Sequence, residues 1–327
     1  MFKIFDSQMN LGKNVFGPDS NIEDYLDNAH ENGVVKAIMI PTGTHELTLP
    51  DGTKERSCIW FDNGERITFK RTLISSEETI LEEQINPSNP YSLMNMFCYD
   101  KLRRLNVEQN KIKFYFCPKL HPTLDTKDEV SRYMALEEVV AFKIQGISSY
   151  TTPKDVPLQL IDLLKRNEKP LMIHTDYRIK DRNDGLDWII ENNKASQWAN
   201  WAVQNGLRTY LAHGLCLDPE AIEIVNNSDL FMVGLGPDIM LNQEKNSLAL
   251  QNVDYLTYLF SNVQSEKICF NYDYRWNVSK RGDWDSLDWD SPKRIIKTAR
   301  KLGLGENFLS NILFNNGMRF FNMEVER

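Results

Sequence analysis

The stretch that decides the fold is "VPLQLIDLLKRNEKPLMIH" (156–174). Leucine and isoleucine recur at helical spacing from Leu158 to Leu164, with Asp162, Lys165 and Arg166 on the other side, so the first part reads as an amphipathic helix. After the polar break, "PLMIH" (170–174) is too short for a helix and reads as a buried strand. Eleven residues separate this stretch from "VVAFKI" (139–144), a second apolar run of the same kind. A strand, a helix and a strand in succession form a βαβ unit with parallel strands.

The alternation extends over the whole chain. Further strand-like runs are "FKIFD" (2–6), "VKAIMI" (35–40), "KFYFC" (113–117), "RTYLAH" (208–213), "LFMVGL" (230–235) and "KICFNYD" (267–273), which brings the number to eight. Helical patterns such as "NIEDYLDNAHENG", "ASQWANWAVQNG", "DPEAIEIVNN" and "LQNVDYLTYLFSNV" separate them. Eight such units fit a closed (β/α)8 TIM barrel better than an open doubly wound sheet, and residues 1–327 are expected to form this one α/β domain. One segment interrupts the rhythm: about 44–73 carries Asp51-Gly52 and Asn63-Gly64 between alternating runs, which predicts a β-hairpin insertion after the second strand. Its place after a strand's carboxyl end puts it at the mouth where barrel sites form, or else makes it a surface or oligomer contact.

Bulk composition narrows the functional classes. With 327 residues, a net charge of −8 and no run of five basic residues, the chain lacks a nucleic-acid footprint. No leader pattern or membrane-length apolar stretch is present, so a soluble cytoplasmic protein with a small-molecule substrate is expected. Five scattered cysteines without a C-x-x-C pair read as reduced packing residues. The aromatics of "DWDSLDWDSP" (283–292) read as part of a solvated acidic loop, with a homo-oligomer interface or a lid as the alternative.

Polar residues gather where the strands end. In "FKIFDSQMNLG" (2–12) the spacing of Asp6, Gln8 and Asn10 predicts three side chains on one strand face. Lys119 and His121 follow the third barrel strand, Lys143 and Gln145 close the fourth, and His174, His213 and Asp273 close the fifth, sixth and eighth. A lone histidine after a strand is more often structural, but together these positions predict one pocket holding His174, His213 and Asp273. Lys143, Arg178 and Arg275 stand close to strand ends and are candidates to receive a substrate carboxylate or phosphate, and His121 is a further substrate-binding candidate.

At these motifs the chain resembles the amidohydrolase superfamily, especially its branch of amidohydrolase-related decarboxylases and carboxylic-acid lactonases. "FDSQMNLG" stands where that superfamily has D-x-H-x-H. "VVAFKIQG", "PLMIHTD" and "TYLAHG" resemble its fourth, fifth and sixth strands, "ICFNYDY" its eighth-strand aspartate motif and "ILFNNGMRFF" its closing segment. The resemblance implies a divalent metal, zinc first, held by a first-strand histidine pair, His174 and Asp273, with His213 nearby. Here Gln8 and Asn10 stand in place of both imidazoles, and neutral amide oxygens are weak donors to zinc.

Three functions follow. The first is a hydrolase of a small carboxylated or carbohydrate-derived ester, lactone or amide that works without a tight metal. Its general base is Asp273, His174 and His213 polarise a carbonyl, and Gln8 and Asn10 bind the substrate. The second is a metal-dependent hydrolase or decarboxylase whose altered ligand set is His174, His213 and Asp273. The third is a catalytically inactive, ligand-binding barrel.

Overall fold

The computed structural model of the chain describes residues 2–12, 22–42, 44–48, 51–62, 66–75, 78–85, 88–149, 151–175, 191–236, 255–274, 278–280, 283–287 and 289–323. Its first two strands are β1 (Ile4–Leu11) and β2 (Val34–Pro41). Next come β3 (Thr44–Thr48), β4 (Lys54–Asp62), β5 (Arg66–Ser75) and β6 (Glu78–Ile85), and then β7 (Lys113–Phe116), β8 (Phe142–Ile144), β9 (Leu171–Ile173), β10 (Thr209–Leu211), β11 (Phe231–Leu235) and β12 (Ile268–Phe270).

Eight of the strands outside the β3 to β6 group coincide with the eight apolar runs; the other two described, β13 (Val278–Lys280) and β14 (Asp283–Leu287), pair antiparallel and put a strand in part of the stretch read as an acidic loop. The eight pair in parallel in two sheets, β1-β2-β7 and β12-β11-β10-β9-β8. Single parallel bridges join the two sheets at both edges: Met9 to Tyr274 just past β12 on one side, and Phe116 to Val139 and Lys119 to Lys143 on the other.

Helices α1 (Ile22–Glu31), α2 (Ser92–Glu108), α3 (Lys127–Met134), α4 (Gly146–Ser149), α5 (Leu158–Arg166), α6 (Ala195–Asn205), α7 (Pro219–Asn226), α8 (Tyr255–Asn262) and α9 (Ser291–Lys301) alternate with the strands. Their ends carry local signals. Thr126 caps α3 by accepting from the Glu129 N–H, Asp218 caps α7 ahead of Pro219, and Gly206 closes α6. In α5 the buried residues are Leu160, Ile161 and Leu164, the stripe anticipated from the opening stretch. Among the described residues no helix is long and apolar enough to cross a membrane.

Each parallel strand serves two apolar layers. Leu171, Ile173, Leu211, Val233, Ile268 and Phe270 pack with the helices, whereas Met172, Tyr210, Met232 and Cys269 pack on the opposite face. On that second face the amino-terminal side is filled by residues near the carboxyl terminus, with Phe321 stacked on Phe5 and Tyr210 at 5.9 Å each. Above them a polar layer links Ser7 Oγ to Tyr210 Oη at 2.8 Å, and Asn271 Nδ2 to the same hydroxyl at 2.8 Å. Gly234 leaves the room for it, because a Cβ there would collide with the Tyr210 hydroxyl and crowd Asn271. Gly234→Ala is therefore expected to cost about 1–3 kcal/mol in unfolding free energy, read by denaturant titration; an unchanged value would rule out this packing role. Cys98, Cys117 and Cys269 are buried free thiols, while the side chains of Cys58 and Cys216 lie outside those described.

Two expectations change. The predicted hairpin at 44–73 is replaced by a four-stranded antiparallel sheet, ordered β3-β4-β5-β6, which continues to Ile85. The last strand, "ETILEEQI", is rich in glutamate, a residue depleted in strands, and its pattern did not identify it. The second correction concerns β1. Its pairing with β2 slips between Asp6 and Met9, and the irregularity resets the alternation of faces. Asp6 points into the helix-covered layer, accepting from Tyr25 Oη at 2.6 Å and from the Tyr272 N–H at 2.9 Å. Asp6, Gln8 and Asn10 therefore do not share one face.

Candidate functional site

Beyond the slip, Gln8 and Asn10 both turn to Asp273. The Gln8 side-chain amide donates to Asp273 Oδ1, and Asn10 Nδ2 donates to the same oxygen at 3.0 Å and to the Tyr274 carbonyl at 3.2 Å. Because a carboxylate only accepts, the amide atoms facing it are the nitrogens. The Gln8 carbonyl Oε1 is then buried without a hydrogen-bond partner among the described residues. The other carboxylate oxygen, Asp273 Oδ2, lies 3.9 Å from His213 Nδ1. On its far side His213 Nε2 meets His174 Nδ1 at 2.9 Å, the rings set at 74° with centroids 4.5 Å apart.

Gln8, Asn10, Asp273, His213 and His174 thus form one chain of polar contacts drawn from four strand ends. Gln8, Asn10, His213 and Asp273 are buried, and His174 is partly open to solvent. Backbone strain falls at this place too, as it does at Asn89, Glu168, Leu215 and Asn322. His213 (φ 55°) and Asp273 (φ 48°) are both in the left-handed region, which non-glycine residues enter at a cost and which concentrates at functional sites. Gly214 follows at φ 55° and could not carry a side chain, since a Cβ would run into the Tyr255 hydroxyl.

The remaining candidates are placed differently. Lys143 is buried on the same sheet face, opposite Lys119 in register. His121 sits in a separate group: its ring lies 6.4 Å from Tyr91, its Nδ1 is 3.3 Å from Thr123 Oγ1, and its N–H donates to Asp125. Burial pushes the His121 imidazole down to about 4, so it is neutral at neutral pH. Arg178 and Arg275 lie outside the described residues. Lys119, which the sequence placed after a strand without a role, belongs here as well. Tyr115, Cys117 and Lys119 alternate onto the helix-free face, a period-2 signal that continues through Pro118 beyond the end of the apolar run.

Whether this group suits a divalent metal can be tested on its donors. The nearest imidazole nitrogens of His174 and His213 face each other, the amides present N–H groups to Asp273, and one orphaned amide oxygen does not make a ligand set. Among the described residues no group of three or more His, Cys, Asp or Glu side chains is arranged to hold an ion. The residues present do not fit a tight zinc site. Restoring imidazoles is expected to change that: Gln8→His with Asn10→His should raise zinc content, measured by plasma mass spectrometry after dialysis, from background to near stoichiometric. A folded double variant that stays free of metal would show that His174 and Asp273 are not poised as ligands.

No protein-family model matches the chain, and no curated protein matches its sequence. Solved structures do. The dihydroorotase of Campylobacter jejuni aligns over 100% of this chain and 85% of its own, with TM-score 0.55 and 12% identity. The IDCase of Metarhizium anisopliae, an isoorotate decarboxylase, aligns over 98% and 97% with TM-score 0.55 and 11% identity. An amidohydrolase from Burkholderia multivorans aligns over 98% and 100% with TM-score 0.54 and 7% identity. These are TIM-barrel proteins of the amidohydrolase superfamily, and at such identities the likeness is one of fold.

Proposed function

We propose that the eight parallel strands close into a single (β/α)8 barrel spanning the chain, and that the protein is a metal-free hydrolase of a small carboxylated or carbohydrate-derived ester, lactone or amide. The observation that carries this reading is the setting of Asp273, its carboxylate oriented by two amide N–H groups where a metal site would need donors. A water at Asp273 Oδ2 gives its proton to that oxygen as it attacks the substrate carbonyl. N–H groups of the His213 and His174 pair stabilise the oxyanion that forms, and the protonated Asp273 returns its proton to the leaving oxygen or nitrogen. Lys143 takes part as a substrate-binding group at the same strand ends, with Arg178 and Arg275 as further candidates to receive a carboxylate, and His121, in its separate group, as a candidate for a more remote part of the substrate.

The sheet β3 to β6 is read as an insertion after the second barrel strand. Support comes from its position, with β4 beside α4, the short helix that directly follows β8. That proximity supports a position over the strand ends, where loops set substrate choice.

The test is turnover of a panel of carboxylated lactones, aryl esters and amides by protein purified and assayed in a chelator. Hydrolysis that is unchanged by the chelator is the expected result. Loss of turnover in chelator with recovery on added zinc would replace this reading by a metal-dependent one.

A further inference from the structure

Two amines share the helix-free face at the carboxyl ends of β7 and β8. Lys119 and Lys143 are bridge partners, with the Leu120 N–H donating to the Lys143 carbonyl at 2.8 Å and the Lys143 N–H to the Pro118 carbonyl at 2.9 Å. Paired residues of parallel strands project to the same side, so both side chains leave the backbone together. Lys119 is 5% exposed and Lys143 3% exposed. Buried lysines are ordinarily matched by a carboxylate. Among the described residues the groups acting on the Lys119 ammonium are instead the Lys143 cation and the thiols of Cys98 and Cys117, and its Nζ lies 5.8 Å from the centre of the Tyr91 ring. An aromatic face attracts a cation, but it can neither accept its proton nor neutralise it.

We propose that Lys119 is a nucleophilic amine that forms an imine with the carbonyl carbon of a small oxo acid, whose carboxylate rests against the Lys143 ammonium. The pairing suits a 2-oxo acid best, because its carbonyl and carboxylate are adjacent, as the two amines are. Burial and the neighbouring cation bring Lys119 down to about 7, which leaves a large share of it as free amine at neutral pH. Its lone pair attacks the carbonyl carbon, a C–N bond forms, and the carbonyl π electrons move to oxygen, which takes a proton from the attacking nitrogen. Lys143 then protonates the resulting hydroxyl, the C–O bond breaks, and water leaves as the iminium forms. The iminium proton returns to Lys143, so amine and oxo acid become imine and water with no oxidant or reductant required. None of the Asp273 group takes part; Lys143 is the residue shared with the hydrolytic reading, and trapping on Lys119 is read without any hydrolytic turnover.

Reductive trapping tests it on the unaltered chain. Protein incubated with pyruvate at neutral pH is treated with sodium cyanoborohydride, and the adduct is located by peptide mass mapping. Modification of Lys119 at least about tenfold faster than of any exposed lysine is expected, since an ordinary lysine amine is almost wholly protonated at neutral pH. Lys143→Met should slow trapping of pyruvate more than trapping of acetaldehyde, which has no carboxylate to hold. An adduct found first on Lys143, equal labelling of the exposed lysines, or no adduct overturns the assignment. The map is read on wild-type protein, so the test does not depend on whether Lys119→Met folds.

Discussion

Asp273→Asn is expected to lower kcat/KM for the best ester or lactone substrate by about 10³-fold, equivalent to about 4 kcal/mol of transition-state stabilisation, and to leave the fold intact. An amide is nearly the same size as the carboxylate but cannot take the proton of an attacking water. The contacts favour survival of the fold, because the Asn carbonyl oxygen can still accept from Gln8 and Asn10, as Asp273 Oδ1 does. His213→Ala should lose less activity, since in the proposed mechanism it stabilises charge rather than moving the proton from water. The measurement is steady-state kinetics alongside thermal unfolding of each variant. Full turnover in a folded Asp273→Asn protein would remove the general-base role.

The second large effect concerns stability and lies on the other face of the same strand. Burial pushes the Asp6 carboxyl up from its ordinary value of 3.8 to about 7, against the opposing pull of the Tyr25 hydroxyl and the Tyr272 and Gln8 N–H groups. Between pH 4 and 7 the folded chain therefore holds a proton that the unfolded chain has lost. Stability contributed by Asp6 is full below pH 4 and is lost as the pH rises to 7, by on the order of 4 kcal/mol. Asp125, also pushed up to about 7 by burial, adds a slope of the same sign. His121, lowered to about 4, opposes both, since its unfolded form binds the extra proton between pH 4 and 6.5. For this reason the decisive quantity is a difference. Unfolding free energy of Asp6→Asn minus that of wild type should rise steadily from pH 4 to 7 and then level off. A difference that stays flat across this range would show that Asp6 is ionised in the folded state throughout.

These two aspartates mark how far the sequence could be read. The eight apolar runs were legible because a parallel strand buried on both faces has no polar positions to blur it. The meeting of His174, His213 and Asp273 followed from strand ends alone, because parallel strands deliver their carboxyl ends to one side. The Gln8 and Asn10 amides joined them, but for a reason other than simple alternation. Period-2 spacing would have brought Asp6 along, and the slip in β1 pairing carries no signature in residue type. Lys119 has a place in the sequence but no role there, because the apolar run stops at Cys117 and a proline follows, although the strand's alternation persists beyond both. In the acidic strand β6 propensity pointed away from the structure, and pairing with β5 decided the matter.

The slip in β1 also bears on which genetic changes this chain can absorb. Substitutions at Gln8 or Asn10 alter the chemistry of the site and leave the strand's frame alone. Removing a single residue between Asp6 and Met9 would take out the extra residue of the slip and restore regular alternation, with Asp6 still facing Tyr25 and Asn10 still facing Asp273. The cost would fall on what the removed residue held, which for Ser7 is its bonds with the Tyr210 hydroxyl and the Phe270 carbonyl. A single-residue deletion or insertion in the regular part of the strand has no such slack and would turn one side of it to the opposite face.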